Sequence, residues 1–165
     1  MFITASEAMW FLPFALPISV WVAWNDMKYM KIPNKAVLAL LAGFLIVGLI
    51  ALPSFTEYSW RLLHFVVVLA IGFVLNMLGM IGAGDAKFAA AMAPFVVLGD
   101  ATRFLVLFAV VLVAAFLTHR AFRNIPLLRS QTADWVSWTS NKFPMGLALG
   151  GALAAYLGLA ALYGG

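Results

Sequence analysis

Uncharged apolar stretches recur along the whole chain, at 8–25, 36–56, 62–84, 88–99, 104–118 and 143–165, with short polar segments between them. A helix that crosses the hydrocarbon layer needs about 20 such residues, with a range near 17–25. Four of the runs reach that length alone, and 104–118 reaches it with its flanks. The run 88–99 is the exception. Counted from Ala86 it has only 14 residues, which predicts a short helix in a thinned or protein-lined site, or a re-entrant one. The pattern predicts an all-α integral membrane protein of about six transmembrane helices, forming a single transmembrane domain over 1–165.

Composition agrees with this. Hydrophobic residues make up 65% of the 165 and charged residues 10%, against about half and a quarter in soluble domains. Mean hydropathy is +1.05. So few charges cannot cover a soluble surface, which excludes a soluble enzyme, a disordered tail and a nucleic-acid module. The net charge of +4 lies in the loops, and no nucleic-acid partner is expected. The lipid bilayer is.

Charge placement predicts orientation. With the N-terminus outside, the cytoplasmic segments carry Lys28, Lys31, Lys35, Lys87, Arg120, Arg123, Arg129 and Lys142, and the outer segments only Arg61 and Arg103. The positive-inside rule therefore puts both termini on the extracytoplasmic side. Trp10 and Trp60 then fall near outer helix ends and Trp21 and Trp24 near an inner one, at headgroup level. The first helix does not read as a cleavable signal, because Glu7 stands where a basic region is needed. The loop 120–143 carries Pro126 and the apolar cluster Trp135, Val136 and Trp138. It reads either as an interfacial helix or as a disordered linker. Gly146, Gly150, Ala154 and Gly158 form a small-residue stripe on the last helix, read as intramolecular packing before a dimer contact.

The chemistry rests on carboxylates. No cysteine is present, so no thiol nucleophile or Cys zinc site exists. No metal-binding H-E-x-x-H or G-x-S-x-G elbow occurs, and no metal or cofactor is expected. His64 and His119 have no ligand-spaced partners and read as packed or interfacial. In the expected topology Glu7, Glu57 and Asp100 lie at the outer face and Asp134 in the long inner loop. Only Asp26 and Asp85 sit where an inner helix end meets a short loop. Each alone reads equally as a snorkelling or capping residue; a pair at one leaflet edge favours function. Gly82 and Gly84 free the backbone just before Asp85, which falls near the N-terminus of the fourth helix, where the dipole favours negative charge. Lys87 is either a counter-charge or a membrane anchor. After Asp26, Pro33 suits a helix start and Asn34 is expected to cap that helix, which makes a stiff loop.

These residues resemble a known family. Gly82-Ala83-Gly84-Asp85 resembles the GxGD motif of intramembrane aspartic proteases. The longer Gly-Ala-Gly-Asp-Ala-Lys-Phe at 82–88 resembles the type IV prepilin peptidases, as does Asp26 followed by Lys28, Lys31 and Ile32-Pro33-Asn34. Lys142, Pro144 and Gly146 match a late Lys-x-Pro-x-Gly; Met145 departs from the tyrosine often found there. Long members carry an N-terminal methyltransferase region with a cysteine zinc site, which this chain lacks. It is similar to the short form associated with Flp pili and Tad secretion, so N-methylation is not expected.

The resemblance implies an aspartic endopeptidase of the bacterial cytoplasmic membrane, with Asp26 and Asp85 catalytic and Gly82, Gly84, Lys87, Pro33 and Asn34 positioning the loops and substrate. The implied partner is a prepilin or pseudopilin, cut at its cytoplasmic leader. Oligomeric state is left open. The competing readings are a proton-coupled transporter, which would more naturally show inverted repeats, and a non-catalytic secretion-assembly subunit.

Overall fold

A computed structural model describes all residues, Met1–Gly165. It is entirely helical. Five helices are long and apolar enough to cross a membrane: α1 (Ala5–Tyr29), α2 (Asn34–Ala51), α3 (Phe55–Met77), α5 (Ala101–Arg123) and α7 (Met145–Tyr163). At 1.5 Å per residue they measure about 27–38 Å, enough for a hydrocarbon layer of about 30 Å. Between them stand the short α4 (Ala83–Met92) and α6 (Pro126–Gln131). The chain is an all-α integral membrane protein.

Local chemistry sets the ends. Thr4 and Glu7 form a reciprocal capping box at the start of α1. The Ser54 hydroxyl accepts from the Glu57 N–H, 3.1 Å away, and opens α3. The apolar run beginning at residue 62 hides this start, because Glu57 and Arg61 belong to the helix. Met30 closes α1 in the left-handed region, at φ 54°, with its N–H bonded to the Asp26 carbonyl.

α7 is the most buried spanning helix, and its largest contact is with α1. A Cβ on Gly150 would stand 2.6 Å from the Ser19 carbonyl oxygen, and one on Gly146 would stand 3.1 Å from Val22. Gly146 and Gly150 thus form an intramolecular seam with α1; Gly158 faces open space. Phe11, Phe44 and Phe95 pack ring on ring in the core, at centroid separations of 5.0–5.6 Å. α3 and α5 stand at the periphery, their apolar side chains turned outward.

The two ends of the bundle differ. Asp100, just before α5, accepts from the N–H groups of Phe2 and Ile3 at 2.8 and 3.1 Å. Gly164 lies against Ile3 and Ala5. Both chain termini and the start of α5 therefore share one end. Asp26, Asp85 and Gly146 gather at the other.

The fourth segment differs from a spanning helix. α4 has 10 residues and covers about 15 Å. The chain then passes through a 3-10 turn at Ala93–Phe95, extended residues Val96 and Val97, and a second turn at Leu98–Asp100. Because Asp85 lies at one end and Asp100 at the other, this broken stretch traverses the bundle. Irregular backbone at membrane depth must be buried in protein and hydrogen-bonded there. Arg61 of α3 donates to the carbonyls of Pro94 and Phe95 at 3.3 and 3.5 Å. His64 bonds the Val96 carbonyl at 3.2 Å. The Tyr156 hydroxyl accepts from the Val97 N–H at 3.4 Å and donates to Asp100 at 3.1 Å.

Arg61 is no outer-loop charge. It is 2% exposed and pairs with Glu7 at 3.4 Å and Glu57 at 3.1 Å. Deleting one member of a buried pair leaves the other charge uncompensated. Arg61→Leu is expected to destabilise the chain by about 3–5 kcal/mol. Arg103→Gln removes the exposed partner of Asp100 and is expected to cost less than about 1 kcal/mol. Denaturant titration of the detergent-solubilised protein reads both.

Candidate active site

Asp26 lies in the last turn of α1 and is 5% exposed. Its Oδ2 accepts a 2.6 Å hydrogen bond from the backbone N–H of Gly146. That N–H belongs to the second residue of α7, whose first four amides have no partner within the helix. Asp26 therefore serves α7 from a different helix, 120 residues away in the chain. Pro144 fixes the entry into α7 and Gly146 lets α1 come close. A Cβ there would stand 2.8 Å from the Asp26 Cβ and 3.0 Å from Oδ2.

Asp85 is the third residue of α4, also in a first turn. It folds back over Gly82, where a Cβ would stand only 2.7 Å from its Oδ2. Gly84 packs on Ile32, with 3.3 Å between a built Cβ and the Ile32 Cβ. This contact joins the loop after Asp26 to the turn that carries Asp85. Both carboxylates stand at the same end of the bundle, joined through the contact between Ile32 and Gly84. Neither takes part in an ion pair.

The remaining sequence expectations divide. Pro33, extended at φ −72° and ψ 134°, is the residue that caps α2. Asn34 is the first helical residue and makes no cap, because a proline before it already occupies the extended position. Its side chain instead accepts from the Lys87 ammonium at 3.4 Å. Lys87 is held by that amide and pairs with neither aspartate. The stiffness of the loop comes from elsewhere, with Asn25 donating to the Lys31 carbonyl at 2.6 Å.

The long loop is ordered against the bundle. α6 is a single exposed turn and a half, and the 3-10 turn Val136–Trp138 is buried at Ser137 and Trp138. Trp24 meets Trp135 edge-on at 4.9 Å, and Trp135, Trp138 and His119 stack in sequence at 5.6 and 4.9 Å. The Lys28 ammonium, 2.9 Å from Asp134, holds that carboxyl below the usual carboxylate range. The loop is thereby tied to the helix that carries Asp26.

What the sequence did not reveal is the bond from the Gly146 N–H to Asp26: the Lys-x-Pro-x-Gly match and the small-residue stripe single out Gly146 but not its partner. No group of three His, Cys, Asp or Glu side chains gathers at a metal-binding distance. The arrangement brings two carboxylates to one end of the bundle, one bonded to the first turn of α7 and the other in the first turn of α4.

Gly146→Ala forces a methyl group into Asp26 and Val22 and is expected to destabilise by about 1–3 kcal/mol. Gly82→Ala meets only the end of the Asp85 side chain, which can rotate away, and is expected to cost less than about 1 kcal/mol. Unfolding of the two variants in detergent checks this ordering.

No curated protein and no solved structure matches the chain. The model of the type IV leader peptidase family matches residues 13–119, a stretch that contains both aspartates, Pro33-Asn34 and the Gly82–Lys87 turn. With most of its length so matched, the chain belongs to the type IV leader peptidase family.

Proposed function

We propose that the chain is an intramembrane aspartic endopeptidase that removes the cytoplasmic leader of Flp-type prepilins, with Asp26 and Asp85 as the catalytic pair. The observation that carries this reading is their convergence at one end of the bundle, each in the first turn of a helix or bonded to one. The family supplies the peptidase activity. The two carboxylates, with no ion pair to neutralise them, supply chemistry suited to it.

In this mechanism one aspartate is ionised and the other neutral, and the proton belongs to the pair. The ionised carboxylate takes a proton from water as the water attacks the scissile carbonyl. The neutral carboxyl donates to the carbonyl oxygen as it gains charge, and a proton then passes to the leaving amine. Gly82 and Gly84 leave room for an extended substrate backbone beside Asp85. The Gly146 N–H orients the Asp26 carboxylate.

The basic loops argue for an inward-facing aspartate end in the bacterial cytoplasmic membrane, with both termini outside. Burial of Arg61 between Glu7 and Glu57 removes one of the two basic residues counted on the other side. The leader of a prepilin would then meet the pair at the cytoplasmic edge of the membrane, in support of pilus assembly or Tad-type secretion.

Coexpression with a candidate Flp-type prepilin tests the reading. The parent is expected to yield the shortened mature band, and Asp26→Asn and Asp85→Asn none at equal membrane levels. Gly82→Ala is expected to lose at least about tenfold in rate, because a displaced carboxylate forfeits its attack geometry, while keeping near-parental stability. Cleavage that persists in both Asn variants would remove the two-aspartate mechanism. A well-expressed parent that cuts no prepilin would remove the substrate assignment.

A further inference from the structure

The C-terminal end of α5 and the segment that leads into α7 enclose a second site. α5 ends with His119, Arg120 and Arg123, and the chain returns to it at Ser140, Asn141 and Lys142. Between them lies a cavity of about 110 Å³. Three fixed cations line it and no carboxylate does. None of the structure's ion pairs uses Arg120, Arg123 or Lys142, and Asp134, the acid of this loop, is taken by Lys28.

His119 forms part of the cavity wall. It is 7% exposed, lines the cavity, and its Nε2 is buried without a hydrogen-bond partner. Buried polar atoms are almost always bonded, and an exception needs an explanation. The ring cannot easily turn to find a partner. Trp138 stacks on one face at 4.9 Å, and Phe143 meets it edge-on at 5.9 Å. Two guanidinium groups, an ammonium, a hydroxyl and an amide line a space of a few water volumes.

That donor set suits one anion. Arginine grips phosphate through two parallel N–H groups and lysine adds a point charge. The apolar face of α5, with Val113 and Leu117 exposed, runs up to the cavity from the side of the bilayer. Basic pockets between helices at a membrane edge are a setting for anionic headgroups.

We propose that this cavity binds a phosphate group, either the headgroup phosphate of an anionic phospholipid or free phosphate. The occupant accepts from Arg120, Arg123 and Lys142. It joins the end of α5 to residues 140–143, just before the Pro144–Gly146 turn that bonds Asp26. The site is separate from the aspartate pair, and its test needs no peptidase activity.

The delipidated full chain in detergent is titrated with phosphatidylglycerol, with phosphatidylcholine of the same acyl chains and with inorganic phosphate. Native mass spectrometry counts the lipid retained and thermal unfolding reports phosphate. The parent is expected to keep one phosphatidylglycerol at concentrations where phosphatidylcholine is lost. Arg123→Gln and Lys142→Gln should each weaken binding by about tenfold, and His119→Gln should weaken it less. Arg129→Gln, a basic residue of the same loop outside the cavity, should bind like the parent.

Retention of phosphatidylglycerol assigns a lipid headgroup. Stabilisation by inorganic phosphate that Lys142→Gln abolishes, with no preference between the lipids, assigns free phosphate. Binding of neither probe overturns the proposal, as does an equal loss in Arg129→Gln, which would mean diffuse attraction. Should Arg123→Gln fail to fold, Lys142→Gln, which lies outside any helix, decides by itself.

Discussion

Hydrocarbon offers no hydrogen-bond partner, so a chain that leaves helical geometry inside a bilayer must satisfy its own backbone. The fourth segment does this between Ala93 and Asp100. Arg61, His64 and Tyr156 bond the carbonyls and the amide that the break exposes. Glu7 and Glu57 balance the Arg61 charge, and Asp100 receives the Tyr156 proton and the N-terminal amides. The consequence lies at the opposite end. A short α4 is anchored by this network, and Asp85 stands in its first turn at that end of the bundle.

The aspartate end solves a related problem. A buried carboxylate is costly unless donors replace the water it has lost. Helix N-termini present such donors, because their first amides have no internal partner. Asp26 uses the start of α7 and Asp85 sits in the start of α4. A Cβ at Gly146 would collide with Asp26 and Val22, and one at Gly82 would displace the Asp85 carboxylate. The glycines are thus part of the electrostatics: they set how close the charge comes to the amides.

Much of this was legible in the sequence, for reasons that also mark its limit. Hydropathy is a local property, so the five spanning helices and the short fourth run followed from counting apolar residues. The aspartate pair followed from its place at the ends of those runs, and the small-residue seam from a four-residue repeat. Helix ends were missed where charged residues lay inside a helix, as Glu57 and Arg61 do in α3. Asn34 was misread as a cap because Asn and Pro both favour helix starts, and only the fold shows which takes the extended position. The pairings that matter most span long separations: Asp26 with Gly146, Arg61 with Glu7, Tyr156 with Asp100. Nothing in local sequence encodes them.

The distribution of unmet polar groups separates the two ends. At the terminal end the carboxylates, the buried arginine and the tyrosine are all bonded to one another, which leaves nothing for a ligand to satisfy. At the aspartate end the two carboxylates pair with no cation, seven basic residues pair with no acid, and His119 Nε2 and Ser137 Oγ are buried without partners. A sequence that specifies one fold satisfies its polar groups everywhere except where function requires otherwise. The third atom buried without a partner, Ser19 Oγ, lies midway along α1, and none lies at the terminal end. His119 Nε2 and Ser137 Oγ stand at the edge that carries Asp26 and Asp85.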